Sequence, residues 1–367
     1  MSDTCQNSVT YHELEALIPV AIADRVPLLI IGDPGIGKTS IPRQYAHAQG
    51  QTFGLAETLA YLFEPVDFRG LLTTNETNRT TDSYSLGKWP LQRLIDKGVY
   101  PKRGILLLDE LLNAHRDVLT ASAEPLCDHR VNGEPLGEGW SIVATGNHIG
   151  NGTSANPLPS HVANRVSVVR VKPTWDEWLV WATGKIRPEL LGYFSIQSGN
   201  DLFEFDPKKL TPNQPYLTPR SLENLSRRLD AWYAAYPTKT PPIHVYSSVV
   251  GEYGGKLYAT LDYVNELVPW PEIQADPGAC RMPTKHAAVY SQIQVIAGAL
   301  KSCGKIIPKA VAKAAFTYIQ RFNQETSVVA MQQWAKATRG QGGAQSSWST
   351  TPEWAAWVKA NSHLFTA

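Results

Sequence analysis

The segment that most constrains this chain is residues 32–39, Gly32-Asp33-Pro34-Gly35-Ile36-Gly37-Lys38-Thr39, set directly behind the apolar run Pro27-Leu28-Leu29-Ile30-Ile31. Glycines permit torsions and close backbone approach that a side chain obstructs, so successive N–H groups can turn inward at a helix start and cradle phosphate oxygens. The pattern requires a strand before the loop and a helix after it. Residues 28–31 read as that strand and residues 40–48 as that helix. In such a loop Lys38 meets the β and γ phosphates of a nucleoside triphosphate and Thr39 offers its hydroxyl to Mg²⁺. Asp33, Pro34, Gly35, Ile36, Gly37 and Ser40 complete the wrap. Pro42 falls in the early turns of the helix, where it lacks an N–H. A slight distortion is expected there, downstream of the phosphate-facing amides.

The chain has 367 residues, enough for two or three domains, and its 43% hydrophobic content is that of an ordinary globular protein. Lysine plus arginine (34) nearly equals aspartate plus glutamate (33), so no overall field draws it to nucleic acid or an anionic membrane. The first seven residues are polar, and no run approaches the roughly 18 apolar residues of a membrane span. A soluble, cytoplasmic protein without membrane contact is expected. Cys5, Cys127, Cys280 and Cys303 are far apart and form no metal or disulfide pattern. His148 and His161 read as surface or packing residues rather than ligands.

Up to residue 172, strand-like runs alternate with helix-compatible stretches, the α/β pattern of a parallel sheet covered by helices. Five strands are expected, at residues 28–31, about 55–61, 104–108, 141–145 and 166–171, with the ligand beyond their carboxyl ends. Two interruptions stand out. Residues 71–88 are polar and threonine-rich and read as an exposed excursion. Residues 129–136 carry an Asn132-Gly133 pair, the signal of a tight hairpin. Beyond residue 172 the pattern is helical. Trp175, Trp178 and Trp181 recur every third residue behind a capping Thr174, as one packed helix face. Residues 221–236, 284–301 and 308–337 read as helices, and the glycine-rich residues 340–347 as a flexible link.

A second chemical segment is Gly104-Ile105-Leu106-Leu107-Leu108-Asp109-Glu110, a buried strand ending in adjacent carboxylates. Asp109 can hold hydrated Mg²⁺ while Glu110 orients and activates an attacking water. The strand at 141–145 leads into Gly146-Asn147-His148, where the Asn147 amide can donate to the γ phosphate or hold that water beside Glu110.

Together these residues resemble the AAA+ ATPases, specifically the MoxR type within the clade that carries an insert in helix 2, over about residues 10–265. Val143-Ala144-Thr145-Gly146-Asn147 is similar to the family's first sensor. Glu64-Pro65-Val66-Asp67-Phe68-Arg69-Gly70 resembles the segment before the helix-2 insert, which makes residues 71–88 the insert and residues 129–136 the hairpin before sensor 1. Leu158-Pro159-Ser160-His161-Val162-Ala163-Asn164-Arg165 resembles the segment ending in an arginine finger, so Arg165 is expected to reach a neighbouring subunit's ATP site. Leu217-Thr218-Pro219-Arg220-Ser221 resembles the second sensor, with Arg220 on the γ phosphate in its own subunit or a neighbour's.

The resemblance implies an AAA+ P-loop core with a five-stranded parallel sheet at residues 1–172, a helical lid at 173–265 and a mainly helical region at 266–367. It implies ATP and Mg²⁺ as cofactors, catalysis by Lys38, Glu110, Asn147, Arg165 and Arg220, and a homo-oligomeric, hexameric ring. The activity implied is chaperone-like remodelling or activation of a protein partner, such as one with a von Willebrand factor A domain. Two alternatives stay open. One is a nucleic-acid motor or restriction-type translocase, gripping phosphates through Arg79, Lys88 and Arg130. The other is a nucleotide-dependent scaffold with little turnover.

Overall fold

Runs of apolar residues that must be covered on both faces build the centre of the first half of the chain. The structure is a computed structural model that describes residues 8–69, 71–75, 80–84, 89–148, 155–197, 199–304, 306–339 and 352–360. Its strands are β1 (Ser8–Val9), β2 (Leu28–Ile31), β3 (Phe53–Leu59), β4 (Leu71–Asn75), β5 (Thr80–Tyr84), β6 (Arg103–Asp109), β7 (Arg130–Val131), β8 (Glu134–Pro135), β9 (Gly139–Gly146) and β10 (Ser167–Val171). Six of them form one sheet in the order β1-β10-β2-β9-β6-β3, every pair parallel.

The sixth strand corrects the expected five. It is β1, which pairs Ser8 with Arg170 and Val9 with Val171 at the outer edge. Two residues are too short to carry a period-two signal. The central strands β2, β6 and β9 are apolar and buried along most of their length. The opposite edge strand, β3, alternates instead, leaving Leu55 and Leu59 37% and 39% exposed.

Helix Tyr11–Asp24 starts in a capping box made by Thr10 and Glu13. It is tied to the sheet by the buried Ser141 hydroxyl, which donates to the Ala21 carbonyl at 2.7 Å. Helix Ser40–Ala48 follows the loop at 32–39, and Pro42 sits buried in its first turn, where a missing N–H costs little. The threonine-rich insert contains an antiparallel pair, β4 with β5, which its β-branched residues favour. Residues 76–79 and 85–88 of that insert, with Arg79 and Lys88, lie outside the described residues, as does the link at 340–347. Strands β7 and β8 flank Asn132 (φ 55°) and Gly133 (φ 75°), the two left-handed positions of a tight hairpin turn.

The chain divides into two compact units, Met1–Pro173 with Phe205–Leu210, and Thr174–Glu204 with Thr211–Ala367. The second unit is helical, and residues on both sides of position 265 belong to it. A Cβ on Gly192, in helix Pro188–Ile196, would lie 2.0 Å from the Ser291 hydroxyl, so the bare glycine is what lets helix His286–Ser302 lie this close. The Tyr263 hydroxyl also meets Ser291 Oγ at 3.0 Å. Trp178 is buried, and Trp175 and Trp181 pack beside it at 5.5 and 6.0 Å between ring centroids. The stretch read as one helix at 308–337 is two, Lys309–Ile319 and Gln324–Arg339. Asn323 divides them, its side chain accepting from the Thr326 N–H at 2.9 Å as an N-cap. Among the described residues no helix is long and apolar enough to cross a membrane.

Candidate functional site

Parallel strands release their following loops at one end of the sheet, and three of these loops meet in the first unit. The loop after β2 turns at Gly35 (φ 77°) and Gly37 (φ 93°), conformations that disfavour any other residue. A Cβ on Gly32 would stand 2.7 Å from Ile36 Cδ1 and 3.3 Å from the Val171 carbonyl, so the loop closes only over a bare backbone. Ile36 is buried beneath it, and its carbonyl accepts from the Tyr11 hydroxyl. The N–H of Ser40 donates to the Gly37 carbonyl at 2.9 Å, opening the helix. Asp33 leads into the turn that Pro34 and Gly35 form.

Lys38 is 8% exposed and folds back into its own loop. Its ammonium donates to the carbonyls of Gly32 (2.9 Å) and Asp33 (2.8 Å) and to Asn147 Oδ1 (2.9 Å). The Asn147 amide in turn reaches Glu110 Oε2 at 3.4 Å, and Asn113 Nδ2 donates to that same oxygen. Glu110 holds φ 56° and ψ 33°, a left-handed conformation rare for a residue with a side chain. Such conformations persist where the surroundings hold them.

Asp109 ends β6 on the other side of this group. Its Oδ1 accepts from the Thr39 hydroxyl at 2.7 Å and from the Thr145 hydroxyl at 2.6 Å. The Thr145 oxygen itself accepts the Glu110 N–H at 3.0 Å. Asp109 Oδ2 faces the guanidinium of Arg43 at 3.9 Å. The Glu57 carboxylate, hydrogen-bonded to Arg43, holds that guanidinium above its ordinary value.

The structure therefore joins Lys38, Thr39, Asp109, Glu110 and Asn147 in direct contact. Arg165 stands apart from them: its guanidinium is 58% exposed and pairs with Asp128 at 3.5 Å. Arg220 is exposed in the first turn of helix Pro219–Ala235, in the second unit. Sequence reasoning missed Tyr11, Arg43, Glu57, Asn113 and Thr145. A charged residue inside the run of β3 was a usable signal for Glu57. Thr145 lay inside the segment that resembles the first sensor, but its contact with Asp109 had no signal, because that partner is set by which strands are neighbours.

The residues fit a magnesium nucleotide. A loop with two left-handed glycines and a fully built helix start suits a phosphate chain. Among the described residues there is no cluster of three or more His, Cys, Asp or Glu for a metal. Mg²⁺ needs none, since it binds through one or two protein oxygens, substrate phosphates and water, and Thr39 and Asp109 supply that minimum.

No family model matches the chain, and no curated protein matches it. Among solved structures it is similar to that of a candidate ATPase from Cytophaga hutchinsonii, at 13% identity over 88% of each chain, with a TM-score of 0.34.

Proposed function

We propose that this chain hydrolyses ATP with Mg²⁺. The observation that carries the reading is the set of hydrogen bonds linking Lys38 to Asn147 and Glu110, and Thr39 to Asp109, across positions 70 to 109 residues apart in sequence. The loop at 32–39 holds the phosphate chain, and Lys38 offsets charge on the β and γ phosphates. Thr39 and Asp109 hold Mg²⁺, which when bound neutralises phosphate charge. Glu110 takes a proton from water as the water oxygen bonds to the γ phosphorus. The bond from that phosphorus to the bridging oxygen breaks, and ADP leaves with the electron pair. Asn147 keeps the water beside Glu110.

The test is ATP turnover and ATP affinity measured side by side. Lys38→Ala is expected to lose ATP binding. Glu110→Gln is expected to keep binding while kcat falls by about 10²–10⁴-fold, the usual contribution of a general base. Glu110→Gln turning over like wild type would remove the carboxylate from this role.

The finer reading is a ring-forming AAA+ ATPase of the MoxR type that remodels or activates a protein partner, one with a von Willebrand factor A domain included. What supports assembly is Arg165, exposed and paired with the exposed Asp128 rather than with a group of the chain's own loop at 32–39. The apolar rim at the end of β3, with Leu59 39%, Tyr61 47% and Leu62 65% exposed, offers surface for a second copy. One observation favours the nucleic-acid alternative. A pocket of about 520 Å³ in the second unit is lined by Arg227, which hydrogen-bonds to Asn224 and lies 4.0 Å from the Glu223 carboxylate, and by Arg228, which hydrogen-bonds to Ser248. ATPase stimulation by DNA that disappears at raised salt identifies that reading, and stimulation by a co-purifying protein identifies the first.

A further inference from the structure

The buried hydroxyl of Thr145 occupies a position that the roles assigned above do not use. It lies at the end of β9, between the strand that feeds the loop at 32–39 and the strand that ends in the two acids. The register pairs Leu108 with Ala144, so Asp109 and Thr145 leave the sheet side by side. Thr145 is 1% exposed, and water cannot replace its contacts. A hydroxyl has one proton to give and lone pairs to accept with, and here both functions are engaged. The proton goes to Asp109 Oδ1, and the oxygen accepts the Glu110 N–H.

We propose that Thr145 is a positioning residue that sets both acids of the site through this one hydroxyl. The inference rests on the ATPase reading and deepens it. With Thr39 and Thr145 both donating to Oδ1, the Asp109 carboxylate is held in one rotamer, with Oδ2 turned toward Arg43. Thr39 can present a lone pair to Mg²⁺ only while its proton stays directed at Asp109, so a carboxylate that rotates away disturbs the metal ligand as well. The bond from Glu110 N–H pins the left-handed backbone on which the Glu110 side chain is mounted. Without that acceptor the half-buried N–H loses its partner, and the strained conformation loses a support. Thr145 touches neither the phosphates nor the water in this account; it acts through Asp109 and Glu110.

The test compares wild type, Thr145→Val, Thr145→Ser and Lys38→Ala in full-length protein. A fluorescent ATP analogue is titrated with Mg²⁺ and with excess EDTA, and turnover is followed as a function of Mg²⁺. Outer-shell partners of a metal site are commonly worth about 10–100-fold in metal affinity or activity. Thr145→Val is therefore expected to lower kcat and raise the half-saturating Mg²⁺ concentration by about 10-fold or more, on the same scale. Its Mg²⁺-free affinity for the analogue stays at the wild-type value, and Thr145→Ser recovers both losses. A role in packing alone predicts the reverse pattern, because serine loses the methyl and valine keeps the shape.

Wild-type kcat and Mg²⁺ dependence in Thr145→Val, or no recovery in Thr145→Ser, overturn the inference while leaving the ATPase reading intact. A wild type that neither binds nor hydrolyses ATP, alike with Lys38→Ala, ends both. Should Thr145→Val fail to fold, Thr145→Cys takes its place, since a thiol is only a weak donor. The same fall in kcat and rise in half-saturating Mg²⁺ concentration are then expected, and wild-type behaviour overturns the proposal.

Discussion

Among the described residues, Lys38 and Lys301 each turn an ammonium group against main-chain carbonyls, and Lys38 belongs to a motif while Lys301 does not. Lys38 donates to Gly32 and Asp33 within its own loop. Lys301, in the second unit, donates to the carbonyls of Val180, Trp181 and Thr183, covering the C-terminal end of helix Trp175–Ala182 where acceptors are left over. Burial, with Lys185 nearby adding repulsion, pushes Lys301 down from 10.5 to about 8. Between those values the unfolded lysine holds its proton and the folded one has released it. The unfolded state then binds more protons, and stability from this group rises with pH. Urea unfolding of wild type and Lys301→Met at a series of pH values is expected to shift in favour of wild type between pH 8 and 10.5. Parallel curves across that window would remove the buried charge from the account.

At the scale of the element, the central strands are held together by more than their ladders. Trp140 of β9 is opposite Gly104 of β6, which is opposite Gly54 of β3. The indole lies over both glycines and closes with its N–H donated to the Pro101 carbonyl at 2.9 Å. A Cβ on Gly104 would stand 2.5 Å from the Gly54 carbonyl and 2.7 Å from the Trp140 ring, contacts that real structures do not contain. Gly104→Ala is expected to destabilise the first unit by about 1–3 kcal/mol, as overpacking does, read as a lower urea midpoint with an unchanged slope. Because β6 carries Asp109 and Glu110 at its far end, the same variant is also expected to lower ATP turnover. An unchanged midpoint would mean that Trp140 has room to move aside. In the sequence Gly104 reads only as the first residue of an apolar run, since its reason for being glycine sits on two other strands.

At the scale of the whole molecule, Arg165 pairs with Asp128 and is not among the groups that contact Lys38, Thr39, Asp109, Glu110 or Asn147 in the described residues. If Arg165 acts on a neighbour, hydrolysis belongs to the assembly, and turnover per subunit rises with protein concentration. Arg165→Ala and Lys38→Ala are then each inactive alone, the first by about 10³-fold as for other arginine fingers. Mixing them recovers part of the activity, because some interfaces pair an intact loop with an intact arginine. No recovery in subunits shown to exchange would place Arg165 outside the neighbour's site.

What was legible in the sequence was local. The loop at 32–39, the acids closing an apolar run and the Asn132-Gly133 turn each carry their reason within a few residues, in backbone torsion or in the chemistry of adjacent groups. The sequence by itself therefore determined a glycine-rich loop of the phosphate-binding pattern and a buried parallel α/β core. Strand order, the two-residue edge strand β1, the break at Asn323 and the joining of Thr145 to Asp109 were decided only by the tertiary structure. Pairing between strands is a choice among distant segments with nearly the same apolar pattern, and it is settled by how their side chains pack together.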